Sequence, residues 1–226
     1  MYRNALIIGS NTGAPERQQL RYAVTDAYSF ANVLKSIGGI SNTSCIIVEN
    51  PSVARVKQAL QALKESAGEI KHKNARKEIL FYYSGHADEH GFLLGSEVFE
   101  YSTLKAELNS ISADVRIAIV DACASGSLTR EKGGVKRPPF LYDASSKMEG
   151  HAYLTSSSDD ESAIESDKIK GSYFTHSLVS GLRGAADFNS DGKVTLNEAY
   201  QFTFNETLRR RKKQLQVRSM QVTIYG

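Results

Sequence analysis

The sequence predicts an α/β protein of three layers, a mostly parallel six-stranded sheet with helices on both faces. Three observations carry that prediction. Four short runs, Leu6–Ile8, Cys45–Val48, Ile79–Tyr83 and Val115–Val120, are nearly continuously apolar, as strands covered on both faces are. Stretches with the helical spacing of apolar residues lie between them. Strand–helix–strand alternation of this kind folds into parallel pairs, because the crossover helix returns the chain to the same end of the sheet.

Local signals justify each element in turn. Leu6–Ile8 is the first strand; its apolar stretch is too short for a secretory signal and breaks into a polar loop at Gly9. Helices are expected over Leu20–Ile37 and, after the start signal Asn50-Pro51-Ser52, over Val53–Ala67. A small hairpin at Gly91–Phe99 precedes a shorter helix at Ser102–Leu108. The pattern then changes. Ser125–Gly150 is rich in Ser, Gly, Pro and basic side chains and has no periodicity, which predicts a long exposed loop. A strand at Ala152–Thr155, helices at Tyr173–Gly184 and Leu196–Lys212, and a final strand at Met220–Tyr225 complete the order.

The composition excludes several function classes. The chain has 226 residues, 41% hydrophobic and 23% charged, enough to bury a core without disulfides or metals. Cys45 and Cys123 cannot form a disulfide framework, and Cys45 in its apolar run reads as a small buried thiol. Such sparse cysteine suits a reducing interior, so a cytoplasmic location is expected. No apolar run approaches the roughly 18–20 residues that span a bilayer. A net charge of +3, from 28 basic and 25 acidic residues, makes no case for nucleic acid. The basic run Arg209–Lys213 reads as a solvated helix end. Neither a membrane, nor nucleic acid, nor an organic cofactor is expected.

Two loops carry the chemistry. The strand Ile79–Tyr83 runs into Ser84-Gly85-His86-Ala87-Asp88, and the strand ending at Val120 runs into Asp121-Ala122-Cys123-Ala124-Ser125-Gly126. Carboxyl ends of parallel strands form the functional edge of an open sheet. A His and a Cys one strand apart there fall within reach across the ~4.8 Å strand spacing. A thiol needs such a neighbour, because it is a poor nucleophile until an imidazole takes its proton.

Tyr83-Ser84-Gly85-His86, followed by Asp121-Ala122-Cys123-Ala124-Ser125-Gly126, resembles the catalytic blocks of metacaspases and bacterial caspase-like cysteine peptidases. Leu20-Arg21-Tyr22-Ala23-Val24-Thr25-Asp26-Ala27 resembles their block after the first strand, and the match in order and spacing runs from Ala5 to about Tyr200. The resemblance implies a caspase-haemoglobinase fold and a catalytic dyad of His86 and Cys123. It also implies an oxyanion hole from the backbone N–H groups of Cys123 and of the residue after the His. That residue is Ala87 here, where the family usually has Gly. One domain is expected over residues 1–226. Its larger portion is about 1–124, its exposed basic linker 125–150, and its smaller portion 151–226.

A cysteine endopeptidase cutting after Arg or Lys is the activity so implied, with protein or peptide substrates. A pocket for such side chains needs carboxylates facing inward. Asp121 lies two residues before the nucleophile, on the same side of an extended segment. The resemblance maps Asp26, Ser84 and Asp121 onto the substrate pocket. A peptidase of that specificity is able to cut its own linker at Arg130, Lys132 or Lys136; Arg137 is followed by Pro138, which peptidases seldom accept.

Asp187–Glu198 fits the EF-hand loop at every ligand position. Asp187, Asn189, Asp191, Thr195 and Glu198 supply side-chain oxygens, Lys193 a carbonyl, and Gly192 the turn, which predicts a calcium ion. The competing reading is a polar turn before a capped helix. Gly9-Ser10-Asn11-Thr12-Gly13 lacks the Lys and Gly spacing of a phosphate loop and reads as part of the substrate cleft. Two rival functions are a catalytically silent caspase-like scaffold and a calcium-responsive interaction module. The sequence leaves the oligomeric state open.

Overall fold

A computed structural model describes residues 1–68, 76–122, 150–156 and 165–222. Five parallel strands form its central sheet in the order β2-β1-β3-β6-β7: β1 Tyr2–Gly9, β2 Cys45–Glu49, β3 Lys77–Ser84, β6 Val115–Asp121 and β7 Gly150–Thr155. The crossovers run through α1 Ala23–Ser36, α2 Val53–Gly68 and α3 Tyr101–Ser110. An antiparallel hairpin, β4 Gly91–Leu94 with β5 Glu97–Glu100, follows β3. After β7 come a two-residue ladder, β8 Glu165–Ser166 with β9 Gly171–Ser172, then α4 Tyr173–Ser180 and α5 Leu196–Val222.

The strand period of two divides the sheet between two cores. Leu6, Ile8, Phe81, Tyr83, Ala118 and Val120 pack with α2, α3 and the hairpin. Ala5, Ile7, Tyr82, Ile119 and Leu154 pack with α1, α4 and the start of α5. These are the three layers expected from the apolar runs.

Three expectations change. Met220–Val222, expected to open a sixth strand, are helical instead, because α5 continues to Val222; Thr223–Tyr225 lie outside the described residues. From Glu206 to Gln216 nearly every residue is a strong helix former, with no Gly or Pro before Gly226 to stop the helix. The expected helix Tyr173–Gly184 ends at Ser180 and passes into a wider π-type turn, Gly181–Ala185, closed by Gly184 at φ 113°. The first helix starts at Ala23 rather than near Leu20. The linker Ser125–Gly150 lies outside the described residues as far as Met148 and Glu149, and β7 opens at Gly150.

Candidate active site

The carboxyl edge of the sheet is tied together strand by strand. Ser84 pairs with Asp121 at the end of the β3–β6 register. Ser10 N donates to the Ser84 carbonyl at 2.9 Å, Gly85 N to the Asp121 carbonyl at 3.2 Å, and Ser156 N to the Val120 carbonyl at 3.0 Å. The ends of β3 and β6, which lead to His86 and Cys123 in the sequence, therefore lie side by side. Cys123 itself lies outside the described residues, directly after the buried Ala122, whose N–H donates to Ser156 Oγ at 3.1 Å.

His86 is buried and held from three sides. Its Nε2 lies 2.8 Å from the Gln18 carbonyl. A carbonyl only accepts, so Nε2 carries the proton and Nδ1 is left as the basic nitrogen. The His86 carbonyl accepts from Tyr83 Oη at 2.7 Å and from Leu93 N at 2.9 Å. Phe92 stacks on Tyr83 with ring centroids 3.9 Å apart and meets Tyr101 edge-on, so the hairpin braces the loop. On the other side Gly13 lies against the imidazole. A Cβ there would stand 2.5 Å from His86 Cδ2. The segment after β1 thus crosses the ring only because residue 13 has no side chain, in keeping with its reading as a cleft loop.

A second cluster lies beside this one, between the sheet and α1/α4. Ser84 and Asp121 follow Tyr82 and Ile119 by two residues and so share their face. α1 brings Asp26 to the same place. Asp26, Ser84 and Asp121, the three predicted pocket residues, are all buried. Asp26 accepts from Ser172 N through both oxygens, at 3.2 and 3.0 Å. Asp121 Oδ2 accepts from Ser172 Oγ and, at 2.7 Å, from Thr175 Oγ1. Ser84 reaches the cluster through the Tyr82 phenol. Burial, and then the neighbouring Asp121, push the Asp26 carboxyl up to about 9. Burial also raises Asp121, against the pull of its Ser172 and Thr175 donors. Two acids are thus kept close together without a cation: no ion pair to either is seen among the described residues. Asp121 Oδ1 is buried with no hydrogen-bond partner among the described residues.

Residues 2–223 match the family model of the caspase domain. The chain belongs to the caspase family. It is a cysteine-type peptidase acting on protein substrates. No curated protein matches it.

In this caspase-family chain Ala87 makes an isolated antiparallel bridge with Phe92. The bonds flank it, Leu93 N to the His86 carbonyl and Asp88 N to the Gly91 carbonyl at 3.0 Å. Ala87 is therefore a non-hydrogen-bonded pair, and its N–H points away from the hairpin. Only Asn50, Lys170 and Ser190 among the described non-glycine residues have positive φ, so position 87 does not require the freedom of Gly.

The 187–198 loop has the turn that calcium coordination needs. Gly192 sits at φ 77°, Asp187 accepts from Asp191 N at 3.1 Å and from Gly192 N at 3.0 Å, and Asn189 accepts from Asp191 N at 2.9 Å. Thr195 and Glu198 form a capping box at the start of α5, with Thr195 N and Oγ1 both 2.8 Å from Glu198 Oε2. Oxygen donors thus stand at each template position. Among the described residues, however, no three His, Cys, Asp or Glu side chains converge as a metal site.

Sequence reasoning missed four participants: the Gln18 carbonyl, Gly13 as the contact on the ring, and the Ser172 and Thr175 hydroxyls. Ser172 is the N-cap of α4, and its contact with Asp26 spans 146 residues. The self-cleavage candidates Arg130, Lys132 and Lys136 lie outside the described residues. No described helix is long and apolar enough to cross a membrane.

Proposed function

We propose that this caspase-family peptidase cuts on the carboxyl side of Arg or Lys, using Cys123 as nucleophile and His86 as its base. What carries the specificity is the buried pair Asp26 and Asp121, which among the described residues has no cationic partner and leaves one Asp121 oxygen unbonded. Burying such acids is costly. A guanidinium or ammonium entering the pocket supplies the missing charge and donor together.

In the reaction, His86 Nδ1 takes the thiol proton while Nε2–H stays on the Gln18 carbonyl, which steadies the ring and the imidazolium it becomes. The Cys123 thiolate attacks the scissile carbonyl carbon, and the N–H groups of Ala87 and Cys123 receive the developing oxyanion. The imidazolium then protonates the departing amine. Water, deprotonated by the same nitrogen, hydrolyses the thioester and frees the thiol.

Fluorogenic peptides ending in Arg, Lys or Asp test the reading. Cleavage of the Arg and Lys peptides is expected, with labelling of Cys123 by an Arg chloromethyl ketone; preference for Asp, or an unlabelled thiol, refutes it. Self-cutting at Arg130, Lys132 or Lys136 belongs to the same proposal. Fragments equal in wild type and Cys123→Ala would exclude it. For the 187–198 loop the proposal is a calcium ion held by Asp187, Asn189, Asp191, the Lys193 carbonyl, Thr195 and Glu198. The ion would stiffen the turn before α5. Calorimetric heat that is lost in Glu198→Gln is expected, and heat unchanged by that substitution counts against it.

A further inference from the structure

Ser172 stands where the two acids meet. Its N–H donates to Asp26 and its hydroxyl to Asp121 Oδ2. Thr175, one helical turn on, gives its hydroxyl proton to the same oxygen at 2.7 Å. In its 2.6 Å contact with Tyr82, Thr175 Oγ1 must then accept, so the Tyr82 phenol is the donor. The hydrogen bonds therefore run one way, from Tyr82 through Thr175 to Asp121. All four side chains are buried. The same Ser172 oxygen also caps α4, accepting from Thr175 N at 2.9 Å.

A buried carboxyl without donors takes up a proton and becomes neutral. A neutral acid holds a cation poorly, because charge-assisted bonds are the strong ones. Two hydroxyls aimed at one oxygen favour the ionised form instead, and they leave the other oxygen as the acceptor. Asp26 differs: the backbone N–H of Ser172 is shared between its two oxygens. The titratable groups that bear on Asp121 and Asp26 are each other, Tyr82 from β3 and Glu165 from β8.

We propose that Ser172 and Thr175 are specificity-determining positioning residues, whose hydroxyls hold Asp121 as the charged partner and leave Oδ1 for the side chain of the substrate. This deepens the Arg/Lys reading and rests on it. Neither hydroxyl touches the reacting atoms; both act through Asp121.

Thr175→Val tests the idea, because it keeps the shape and the backbone N–H that Ser172 caps while removing the donor. Thr175→Ser restores the donor and controls for packing. With Arg and Lys peptides, Thr175→Val is expected to raise KM about tenfold, the size of one hydrogen bond to a charged group, with kcat nearly unchanged. The acidic limb of kcat/KM should move to higher pH, since that limb reports the free enzyme. Thr175→Ser should return both to the wild-type values. Equal losses in the two variants, or a loss confined to kcat with the acidic limb unmoved, would reduce Thr175 to packing and overturn the proposal. A wild type that prefers Asp-terminated peptides overturns the Arg/Lys reading itself, and shows this before any variant is made.

Discussion

Replacing Asp26 by Asn keeps the outline of the side chain and removes its proton equilibrium. In the folded protein, burial and the adjacent Asp121 push this carboxyl up to about 9; in the unfolded chain an Asp titrates near ~3.9. Between those two values the folded state keeps a proton that the unfolded state has released. Stability must then fall as pH rises through this window, by about 1.4 kcal/mol per pH unit for one such group. Asp121, raised by burial, contributes with the same sign. From about pH 5 to about pH 7.5 the Asp26 part alone amounts to at most about 3.5 kcal/mol, against a typical domain stability of about 5–15 kcal/mol. Urea unfolding of wild type and Asp26→Asn at several pH values in that range measures the difference. The expected result is a gap between the two that narrows or reverses in favour of Asn as pH rises, by about one proton's worth of slope. Parallel curves would refute the reasoning, because they would mean that Asp26 binds no extra proton when folded.

Other perturbations test neighbouring parts. Gly13→Ala places a methyl against the His86 ring, 2.5 Å from Cδ2, and should lower kcat about 10²-fold, as displacements of about 1 Å do, with KM little changed; a normal kcat would show that the ring tolerates the contact. Tyr83→Phe removes the 2.7 Å donor to the His86 carbonyl and should lower kcat less than Gly13→Ala, since Leu93 N still holds that oxygen. Glu165→Ala removes both acceptors at the start of α1, where Arg21 N and Tyr22 N donate at 3.0 and 2.8 Å. The loss of this cap should cost about 1–2 kcal/mol in urea unfolding; an unchanged midpoint would mean that water replaces it fully.

Much of the layer order was legible because buried parallel strands leave continuous apolar runs. Leu6–Ile8 and Ile79–Tyr83 needed only a few residues added at each end. The failure at Met220–Val222 has the opposite character. A short apolar alternation there competes with a long run of helix formers upstream, and helix propagation continues until something stops it. At the site, local sequence was enough to put Ser84, His86 and Asp121 at or just past strand ends, where the structure has them. It was not enough for Gln18, whose role is played by a backbone carbonyl that any residue could supply. Gly13 belonged to a motif weighed for phosphate binding, whereas its use here is to leave room for a ring. The missing N-cap of α1 is similar. Tyr22 makes no side-chain cap; Asn11 Oδ1 accepts from Val24 N at 3.0 Å, and Glu165, 143 residues away, accepts from Tyr22 N.

That distant cap has a bearing on any break in the chain between Ala122 and Gly150. The side chains that answer Asp26 and Asp121 by hydrogen bonding among the described residues, namely Ser156, Ser172 and Thr175, follow such a break, while both acids precede it. A fragment stopping at Ala122 would carry two sequestered acids with no donors from the later segment, and would lose the Glu165 acceptor of Arg21 N and Tyr22 N at the start of its first helix. The later fragment, for its part, would lack β6, the strand with which β7 pairs. Severed halves would thus hold to one another for the same reason that neither is fit to stand by itself.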